Sequence, residues 1–373
     1  MRKNHKPEIK KAVALALALI MLCAFSSCTA KEAQLYRFTD TYYDAFDTVI
    51  SIIAYCESQQ EFDALSEKVH GEFVRYHRLF DIYNEYDGLA NAASLNRLAK
   101  AGEAVKVPQE LIEILQLGKE ACEKTGGRVN IAMGAVLSLW HEAREYSVDH
   151  PDKAYVPSAE ELKAAAQHCD ADSLVIDSAA GTVRFADPDM SIDLGAIAKG
   201  WAVERVAQSL AADGFLAGSR GIAISAGGNV RVVGPKAGGE YWTVAVQDPS
   251  DGAAADDYAD TLKLKDISLV TSGVNQRYFT AGGKRYHHII DPGTLGPQDR
   301  YLSVTVLTED SGLADALSTA LFNMSIEEGT SLLKALKDGS KTIGGISVKT
   351  AEALWILPDK TLKSTDGYPA FRK

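Results

Sequence analysis

The sequence has few cysteines, and none is spaced for metal binding or for disulfide redox chemistry. Only five occur in 373 residues, and beyond Cys28 only Cys56, Cys122 and Cys169 remain. An odd and scattered trio provides neither a disulfide framework nor a C-x-x-C motif. We therefore expect these three thiols to be free and buried.

Several familiar chemical motifs are also missing. The chain has no Walker loop, no Ser nucleophile elbow and no G-x-G-x-x-G spacing, which excludes the best-known phosphate loops and acyl-transfer sites. A His-Glu pair begins at His141, but residue 145 is Glu, so the H-E-x-x-H zinc motif is broken. The sequence contains no internal repeat and no linker that would divide it.

Positive charge is scarce relative to negative charge. Lys and Arg number 39 against 50 Asp and Glu, which gives a formal net charge of −11. Nucleic-acid binding needs basic patches, so this composition argues against a nucleic-acid partner. A polyanionic ligand would need a local site, which we expect to include a metal ion.

An apolar run near the N-terminus is too short to span a membrane comfortably. Residues 12–25 are uncharged and follow a basic stretch, which is the pattern of an export signal. Cys28 follows two serines and resembles the acylated cysteine of bacterial lipoproteins. We expect residues 1–27 to be a lipoprotein signal peptide, 28–37 a lipidated tether and 38–373 the functional domain. The protein would then be lipid-anchored to the cell membrane on its extracytoplasmic face, with plain secretion as the alternative.

Hydrophobic periodicity predicts strands interspersed with helices. Residues 60–80 repeat apolar side chains at spacings of three and four, which predicts an amphipathic helix, whereas 48–56 are apolar and β-branched, which predicts a strand. Ser158 and Ser325 each precede a Glu by three residues, the capping-box pattern that begins a helix. Residues 81–99 are rich in Asn, Asp and Gly and predict mostly loop. We therefore expect an α+β fold.

An acid and a hydroxyl stand four residues apart in the otherwise apolar segment 314–322. If this segment is a helix, Asp315 and Thr319 lie one above the other on one face, with Ser318 nearby. One interpretation is an acid near a helix start and a threonine that bonds back to the backbone. The other is half of a site for a hard cation, because Mg²⁺ takes carboxylate and hydroxyl oxygens.

The stretch DLGAIAKG at 193–200 is equally ambiguous. Asp193 is well placed to cap the helix that follows, and Lys199 would lie in the first turn of that helix. Exposed amides at a helix start together with a lysine attract phosphate. A capped surface helix with an ordinary lysine explains the same residues.

Two adjacent histidines occur in YHHIIDP at 286–292. In a strand, His287 and His288 point to opposite faces, so they cannot easily share one metal ion. We expect one of them to be packed or solvated and the other to face a cleft.

These segments, in this order, resemble the ApbE family, the FAD:protein FMN transferases. The resemblance covers roughly residues 40–340 and implies a single compact catalytic domain with mixed or antiparallel sheets flanked by helices. The matching stretches are FDTVISI (46–52), DIYNEYDGLANAASLN (81–96), TGGRVNIAMGAVLSLW (125–140), DLGAIAKG (193–200), SAGGN (225–229), VTSGVNQRYF (270–279), RYHHIIDPGT (285–294) and ADALSTALF (314–322).

The resemblance implies an activity and a metal. Members of the family transfer the FMN half of FAD, through a phosphodiester bond, to a threonine of exported FMN-binding proteins, and they require Mg²⁺ and release AMP. It implies that Asp315, Ser318, Thr319 and the backbone carbonyl of Ala196 hold the cation. It also implies that His288 acts as the general base, with Asp315 as the second catalytic residue.

The resemblance also implies which residues contact the flavin nucleotide. These are Phe46, Tyr83, Val129, Asn130, Asp193, Lys199, His288 and Ile289. This chain departs from many relatives at Phe46, where they have Met, and at Asn130, where they have Asp. Two other functions stay open: an FAD-binding lipoprotein or FAD pyrophosphatase without a protein acceptor, and a surface binding lipoprotein without chemistry.

Overall fold

The structure is a computed structural model that describes residues 34–216, 220–250, 252–254 and 256–373. The predicted signal peptide and Cys28 lie outside these residues. The last four residues of the predicted tether do not, and two of them, Tyr36 and Arg37, pair with Cys56 and Tyr55 in an antiparallel ladder. The first strand therefore begins inside the segment for which we expected a tether.

The described residues form eight α-helices and seventeen strands. The helices are α1 (Gln59–Phe80), α2 (Ala92–Leu98), α3 (Gln109–Lys124), α4 (Gly134–Asp149), α5 (Ala159–Ala166), α6 (Ala198–Ala212), α7 (Ser311–Phe322) and α8 (Ile326–Lys337). The strands are β1 (Tyr36–Tyr42), β2 (Ile50–Cys56), β3 (Val105–Lys106), β4 (Leu174–Asp177), β5 (Thr182–Phe185), β6 (Ile222–Ala226), β7 (Asn229–Val233), β8 (Trp242–Gln247), β9 (Tyr258–Leu264), β10 (Ser268–Gly273), β11 (Tyr278–Ala281), β12 (Lys284–His287), β13 (Ile290–Asp291), β14 (Gly296–Pro297), β15 (Ser303–Thr308), β16 (Ala351–Ile356) and β17 (Leu362–Ser364).

The largest sheet has eight strands in the order β1-β2-β6-β7-β10-β15-β16-β17. Every neighbouring pair in it is antiparallel. The smaller sheets β3-β5-β4, β8-β9, β11-β12 and β13-β14 are antiparallel as well. Helices and antiparallel sheets are interspersed along the chain, which confirms the predicted α+β class.

Helix α7 lies at the centre of the fold. It packs against strands β10 and β15 and against helix α6. Its sequence is apolar on almost every side, which is the pattern of a helix buried all round, and only Thr319 is not fully buried. This packing brings the beginning of α6 directly against α7.

Local capping predictions were confirmed where they depend on neighbouring residues. Ser158 and Ser325 each form a complete capping box with the Glu three residues later. Helix α1 matches the predicted helix at 60–80 to within one residue.

Cys56 and Cys122 are free and buried as expected, whereas the free thiol of Cys169 is only half-buried.

The prediction of mostly loop at 81–99 is confirmed for residues 81–91, but helix α2 occupies 92–98, which the prediction did not include. The buried side chain of Asn91 starts the helix by accepting a hydrogen bond from the Ser94 amide at 3.0 Å. The amide nitrogen of the same side chain donates to the carbonyls of Arg78, Asp81 and Asn84. These contacts with the end of α1 and with the loop that follows it stabilise a helix that the composition did not indicate.

The predicted helix cap at Asp193 was also wrong. Helix α6 begins five residues later, and its N-cap residue is Ile197, which provides no side-chain hydrogen bond. Asp193 Oδ1 instead accepts a hydrogen bond from the Gly195 amide at 2.7 Å, which forms a local turn. The turn shapes the loop that leads into the helix.

Across the described residues, none of the helices combines the length and apolar character needed to cross a membrane.

Candidate active site

A cavity of about 560 Å³ brings together side chains that are far apart in sequence. It lies where the β1–β2 loop, the start of α6, helix α7 and the segment around β12 and β13 converge. The predicted site residues that line it are Phe46, Tyr83, Val129, Asn130, Asp193, Ala196, Lys199, His288, Ile289, Asp315 and Thr319. Ser318 is the one predicted site residue among the described positions that is absent from this lining.

Asp315 is a buried carboxylate with two oriented oxygens. The side chain is 4% exposed; its Oδ2 accepts a hydrogen bond from the Gly200 amide at 2.8 Å, and its Oδ1 accepts a longer one from Asn229 Nδ2 at 3.5 Å. Burial raises the pKa of Asp315, while the charge of Lys199 and the Gly200 amide oppose that rise. A buried carboxylate of this kind is stabilised by a positive partner.

The Gly200 amide makes this contact from the third residue of helix α6. Amides in the first turn of a helix have no carbonyl of that helix to bond, and this one donates to Asp315. A Cβ atom at residue 200 would lie 2.2 Å from the Ser311 carbonyl oxygen and 2.5 Å from Asp315 Cβ. Glycine is therefore required for the close approach of α6 to α7, and the Ala196 carbonyl does not receive the Gly200 amide.

Thr319 and Ser318 diverge on either side of Asp315. At 3.6 residues per turn, Thr319 is rotated from Asp315 by about 40° in one direction and Ser318 by about 60° in the other. Thr319 lines the cavity, but Ser318 is fully buried, donates to the Asp315 carbonyl at 3.0 Å and shares a hydrogen bond with Ser272 Oγ at 2.8 Å. Ser318 therefore lies behind the cavity wall, which argues against the ligand role expected for it.

Asn229 supplies a polar atom beside Asp315 that the protein leaves unpaired. The residue is 1% exposed, and within the described part of the chain its Oδ1 has no hydrogen-bond partner. An unpaired buried carbonyl oxygen costs about 1–3 kcal/mol. Asn229 Oδ1, the Asp315 carboxylate, the Thr319 hydroxyl and the Ala196 carbonyl are oxygen donors of the kind that Mg²⁺ prefers, so the donor set fits a hard cation.

Lys199 is a positive charge that acts on several titratable groups of the cavity. It is half-buried, lies in the first turn of α6 and donates weakly to the Gly195 carbonyl at 3.4 Å. Burial raises the pKa of Asp193, and the charge of Lys199 opposes that rise, as it does for Asp315. The lysine therefore lies close enough to both carboxylates to interact with either of them.

One ring nitrogen of His288 is hydrogen-bonded within the protein, and the other has no such partner among the described residues. Its Nδ1 lies 3.2 Å from the Arg277 carbonyl oxygen, and its backbone amide donates to the same oxygen at 3.1 Å. A carbonyl only accepts, so Nδ1 carries the proton, and Nε2 is an acceptor with no hydrogen-bond partner among the described residues. The ring is open to the cavity but surrounded by protein; this burial and the charge of Lys199 lower the pKa of His288 to about 3. The imidazole is therefore neutral near pH 7.

His287 has a different environment from its neighbour. It is 4% exposed; its Nε2 bonds to the Gln298 carbonyl at 2.9 Å, and its Nδ1 accepts from the Ile289 amide at 3.2 Å. Both ring nitrogens are thus used within the protein. The expectation that one histidine is packed while the other faces a cleft is confirmed.

The residues predicted to contact flavin present different kinds of surface. Tyr83 is 60% exposed and stacks on His141 with ring centroids 4.8 Å apart, so it offers an open aromatic face. Both polar atoms of the Asn130 side chain have a partner in the protein, because Nδ2 donates to the Cys169 carbonyl and Oδ1 accepts from the Ala132 amide, both at 2.8 Å. Val129 and Ile289 are buried in the wall, and their contact with flavin stays a prediction.

Sequence reasoning missed an aromatic wall and several polar residues of the same cavity. Trp140 and Phe279 both pack on Tyr286, with centroids 5.8 and 5.5 Å apart. Asn229 and Arg277 also line the cavity. Both lie inside stretches that carry the family resemblance, but no spacing pattern distinguishes them, because their partners come from distant segments. The cavity combines an aromatic part with a charged part.

Solved structures share this fold. The ApbE protein from Thermotoga maritima superposes with a TM-score of 0.75 and 29% identity, over 91% of this chain and 100% of that chain. The flavin transferase ApbE from Vibrio cholerae superposes with a TM-score of 0.71 and 23% identity, over 91% and 99% of the two chains. The second likeness, at that low identity, shows the fold alone.

Sequence comparison identifies the family. The sequence model of the ApbE family matches residues 46–343, so this chain belongs to the ApbE family. An FAD:protein FMN transferase from Treponema pallidum (strain Nichols) is 33% identical over 290 residues, which are 74% of this chain and 73% of that protein. Another, from Klebsiella pneumoniae (strain 342), is 30% identical over 269 residues, 70% of this chain and 79% of that protein. The predicted resemblance and the enzyme class, a transferase, are confirmed.

Proposed function

We propose that this protein transfers the FMN half of FAD to a threonine of exported FMN-binding proteins, with Mg²⁺ as cofactor and AMP as the second product. One observation carries the proposal: a single cavity holds a buried, oriented carboxylate and a histidine with one free ring nitrogen. The related proteins are named FAD:protein FMN transferases, which supports the transfer of FMN from FAD to a protein.

The cation site consists of oxygen donors at the junction of α6 and α7. Asp315 is its anionic residue, and Thr319 and the carbonyl of Ala196 are its neutral donors. The Gly200 amide supports this arrangement, since it orients the carboxylate and does not bond to the Ala196 carbonyl. When bound, Mg²⁺ supplies charge neutralisation for the phosphates of FAD. Lys199 adds a second positive charge at the same end of the cavity.

His288 accepts the proton of the acceptor threonine. The Arg277 carbonyl holds Nδ1 in its protonated form, so the free Nε2 takes the hydroxyl proton. The threonine oxygen then forms a bond to the phosphorus of the FMN half, and the bond from that phosphorus to the bridging oxygen breaks. AMP leaves with that oxygen and receives the proton in the last step. The depressed pKa of His288 keeps the base neutral at physiological pH.

The two parts of the cavity suit the two kinds of chemical group in FAD. Ring systems fit an aromatic surface such as the Trp140, Phe279 and Tyr286 wall or the open face of Tyr83. The pyrophosphate fits the end that holds Lys199 and Asp315 with its cation. The protein as a whole is acidic, so these local positive charges are needed for an anionic substrate.

The protein acts on the extracytoplasmic face of the cell membrane, anchored through a lipid on Cys28. The basic, apolar and small-residue pattern at residues 1–28 supports this location, as does an acceptor that is itself exported. A Cys28→Ala variant is expected to move from the membrane fraction to the soluble fraction. An unchanged distribution between the two fractions would contradict lipid anchoring.

The activity is tested by incubating the mature protein with FAD, Mg²⁺ and an exported FMN-domain acceptor. A fluorescent acceptor band after denaturing electrophoresis, lost with EDTA, is the expected result. Release of AMP and FMN without a labelled acceptor would indicate an FAD pyrophosphatase instead. If FAD remained intact, the remaining interpretation would be a lipoprotein that binds its ligand without chemistry.

Two matched variants and one acceptor control sharpen that assay. Asp315→Asn keeps the shape of the side chain but removes the anionic donor, so labelling is expected to fall by at least about a hundredfold. Asp338→Asn, in an exposed residue after α8, is expected to leave labelling unchanged. An acceptor with its target threonine replaced by alanine must remain unlabelled. Normal labelling by Asp315→Asn would remove the cation assignment.

A further inference from the structure

The β1–β2 loop, residues 43–49, has an unusual backbone where it borders the cavity. Phe46 and Asp47 both have left-handed conformations, with φ of 58° and 48°. Residues with a side chain rarely adopt this region, and two in succession are rarer still. The conformation therefore has to be stabilised by contacts from outside the loop.

Arg277, more than 200 residues away in sequence, provides such contacts. Its Nη2 donates to the Asp47 carbonyl at 3.0 Å and to the Phe46 carbonyl at 3.4 Å. The Phe46 amide also donates to His77 Nδ1 at 3.2 Å. The carbonyls of both left-handed residues are thus held by one guanidinium group.

The far side of the loop is held by a close approach to the β6–β7 turn. The Gly227 amide donates to the Val49 carbonyl at 3.2 Å. A Cβ atom at Gly227 would lie 2.0 Å from Thr48 Oγ1, so the two segments are in direct contact. Phe46, Asp47, Thr48, Gly227 and Arg277 all line the cavity. The loop conformation therefore determines one wall of it.

We propose that Arg277 is a positioning residue, which holds the β1–β2 loop in its left-handed conformation and so forms the wall against which FAD binds. The role of this wall in FAD binding rests on the proposed function, whereas the role of Arg277 in holding the β1–β2 loop does not. Arg277 has a second, separate contact through its backbone, because its carbonyl accepts from the backbone amide and from the ring Nδ1 of His288. A side-chain substitution at residue 277 keeps that carbonyl and therefore keeps the base in place.

The test compares Arg277→Ala alone with two second substitutions at Asp47. Glycine adopts positive φ about as readily as negative φ, so Asp47→Gly relieves the cost of the left-handed backbone. Asp47→Ala removes the same carboxylate but keeps the Cβ and the cost. If Arg277 acts through the loop, Asp47→Gly restores the loop docking and FAD affinity that Arg277→Ala loses, whereas Asp47→Ala does not.

Hydrogen exchange at the Phe46 and Gly227 amides measures whether the loop is docked, with no ligand required. Arg277→Ala is expected to speed exchange at both amides about tenfold, and adding Asp47→Gly is expected to slow it again roughly fivefold. FAD affinity, measured by flavin fluorescence, is expected to follow the same order, with kcat changed far less than KM. Lys360→Gly, at another left-handed residue in the β16–β17 turn, should change neither exchange nor affinity.

Three results would overturn the proposal. The first is unchanged exchange of both amides in Arg277→Ala. The second is loss of FAD affinity in that variant with no recovery on adding Asp47→Gly, which would make Arg277 a direct contact of the substrate. The third is equal recovery by Asp47→Ala, which would assign the effect to charge. A mature protein that does not bind FAD would refute the proposed function, while the exchange measurements would still decide the role of Arg277.

Discussion

Replacing Gly200 with alanine is expected to disrupt the candidate cation site through a single methyl group. The added Cβ would lie 2.2 Å from the Ser311 carbonyl oxygen and 2.5 Å from Asp315 Cβ. To reach ordinary contact distance, helices α6 and α7 must separate by about 1 Å. That movement lengthens the hydrogen bond from the Gly200 amide to Asp315, which is now 2.8 Å.

The net effect on stability follows from three contributions. Alanine in place of glycine in a helix gains about 1 kcal/mol, overpacking costs about 1–3 kcal/mol, and loss of a hydrogen bond to a carboxylate costs about 1.5–3 kcal/mol. We expect Gly200→Ala to lower the free energy of unfolding by about 2–4 kcal/mol. Gly71 is the matched control, since it lies exposed in α1 with no atom within 4 Å of an added Cβ. Gly71→Ala should raise the free energy of unfolding by up to about 1 kcal/mol.

Urea unfolding of both variants measures these opposite effects, and calorimetric titration with Mg²⁺ measures the effect on the site. Gly200→Ala should weaken Mg²⁺ binding at least about tenfold, whereas Gly71→Ala should leave it unchanged. Equal stability of the two variants would refute the steric requirement at Gly200. Normal Mg²⁺ affinity in a destabilised Gly200→Ala protein would refute the link between the α6–α7 approach and the placement of Asp315.

Two further substitutions test the base and a half-buried helix cap. His288→Gln should lower kcat by about 10²- to 10⁴-fold with little change in the FAD dissociation constant, whereas a collapse of FAD affinity would make His288 a binding or packing residue. Burial and the charge of Glu204 raise the pKa of Asp310 to about 6, and its Oδ1 caps α7 by accepting from the Leu313 amide. A raised folded-state pKa means that stability is lost as the pH rises from about 4 through 6. Asp310→Asn keeps the cap but cannot titrate. Its free energy of unfolding, measured with urea, should exceed that of the unsubstituted protein by an amount that rises to about 3 kcal/mol between about pH 4 and 7. A difference that does not depend on pH would contradict this.

The sequence determined those features that depend on neighbouring residues. The capping boxes at Ser158 and Ser325 are formed by groups three residues apart, so their pattern was sufficient. The apolar sequence of 314–322 indicated a helix, and the four-residue spacing correctly aligned Asp315 with Thr319 because helix geometry fixes that relation. Alternation along a strand likewise predicted different environments for the two adjacent histidines.

Which of these side chains can act depends on the assembled fold, because their partners come from distant segments. The amide that orients Asp315 lies 115 residues before it, at Gly200. The packing of α7 against β10 buries Ser318 behind the cavity wall although its spacing looked suitable. The carbonyl of Arg277 selects the tautomer of His288, and its guanidinium holds a loop more than 200 residues away. Local sequence carries no information on such contacts, since they form only when the sheet and helices assemble.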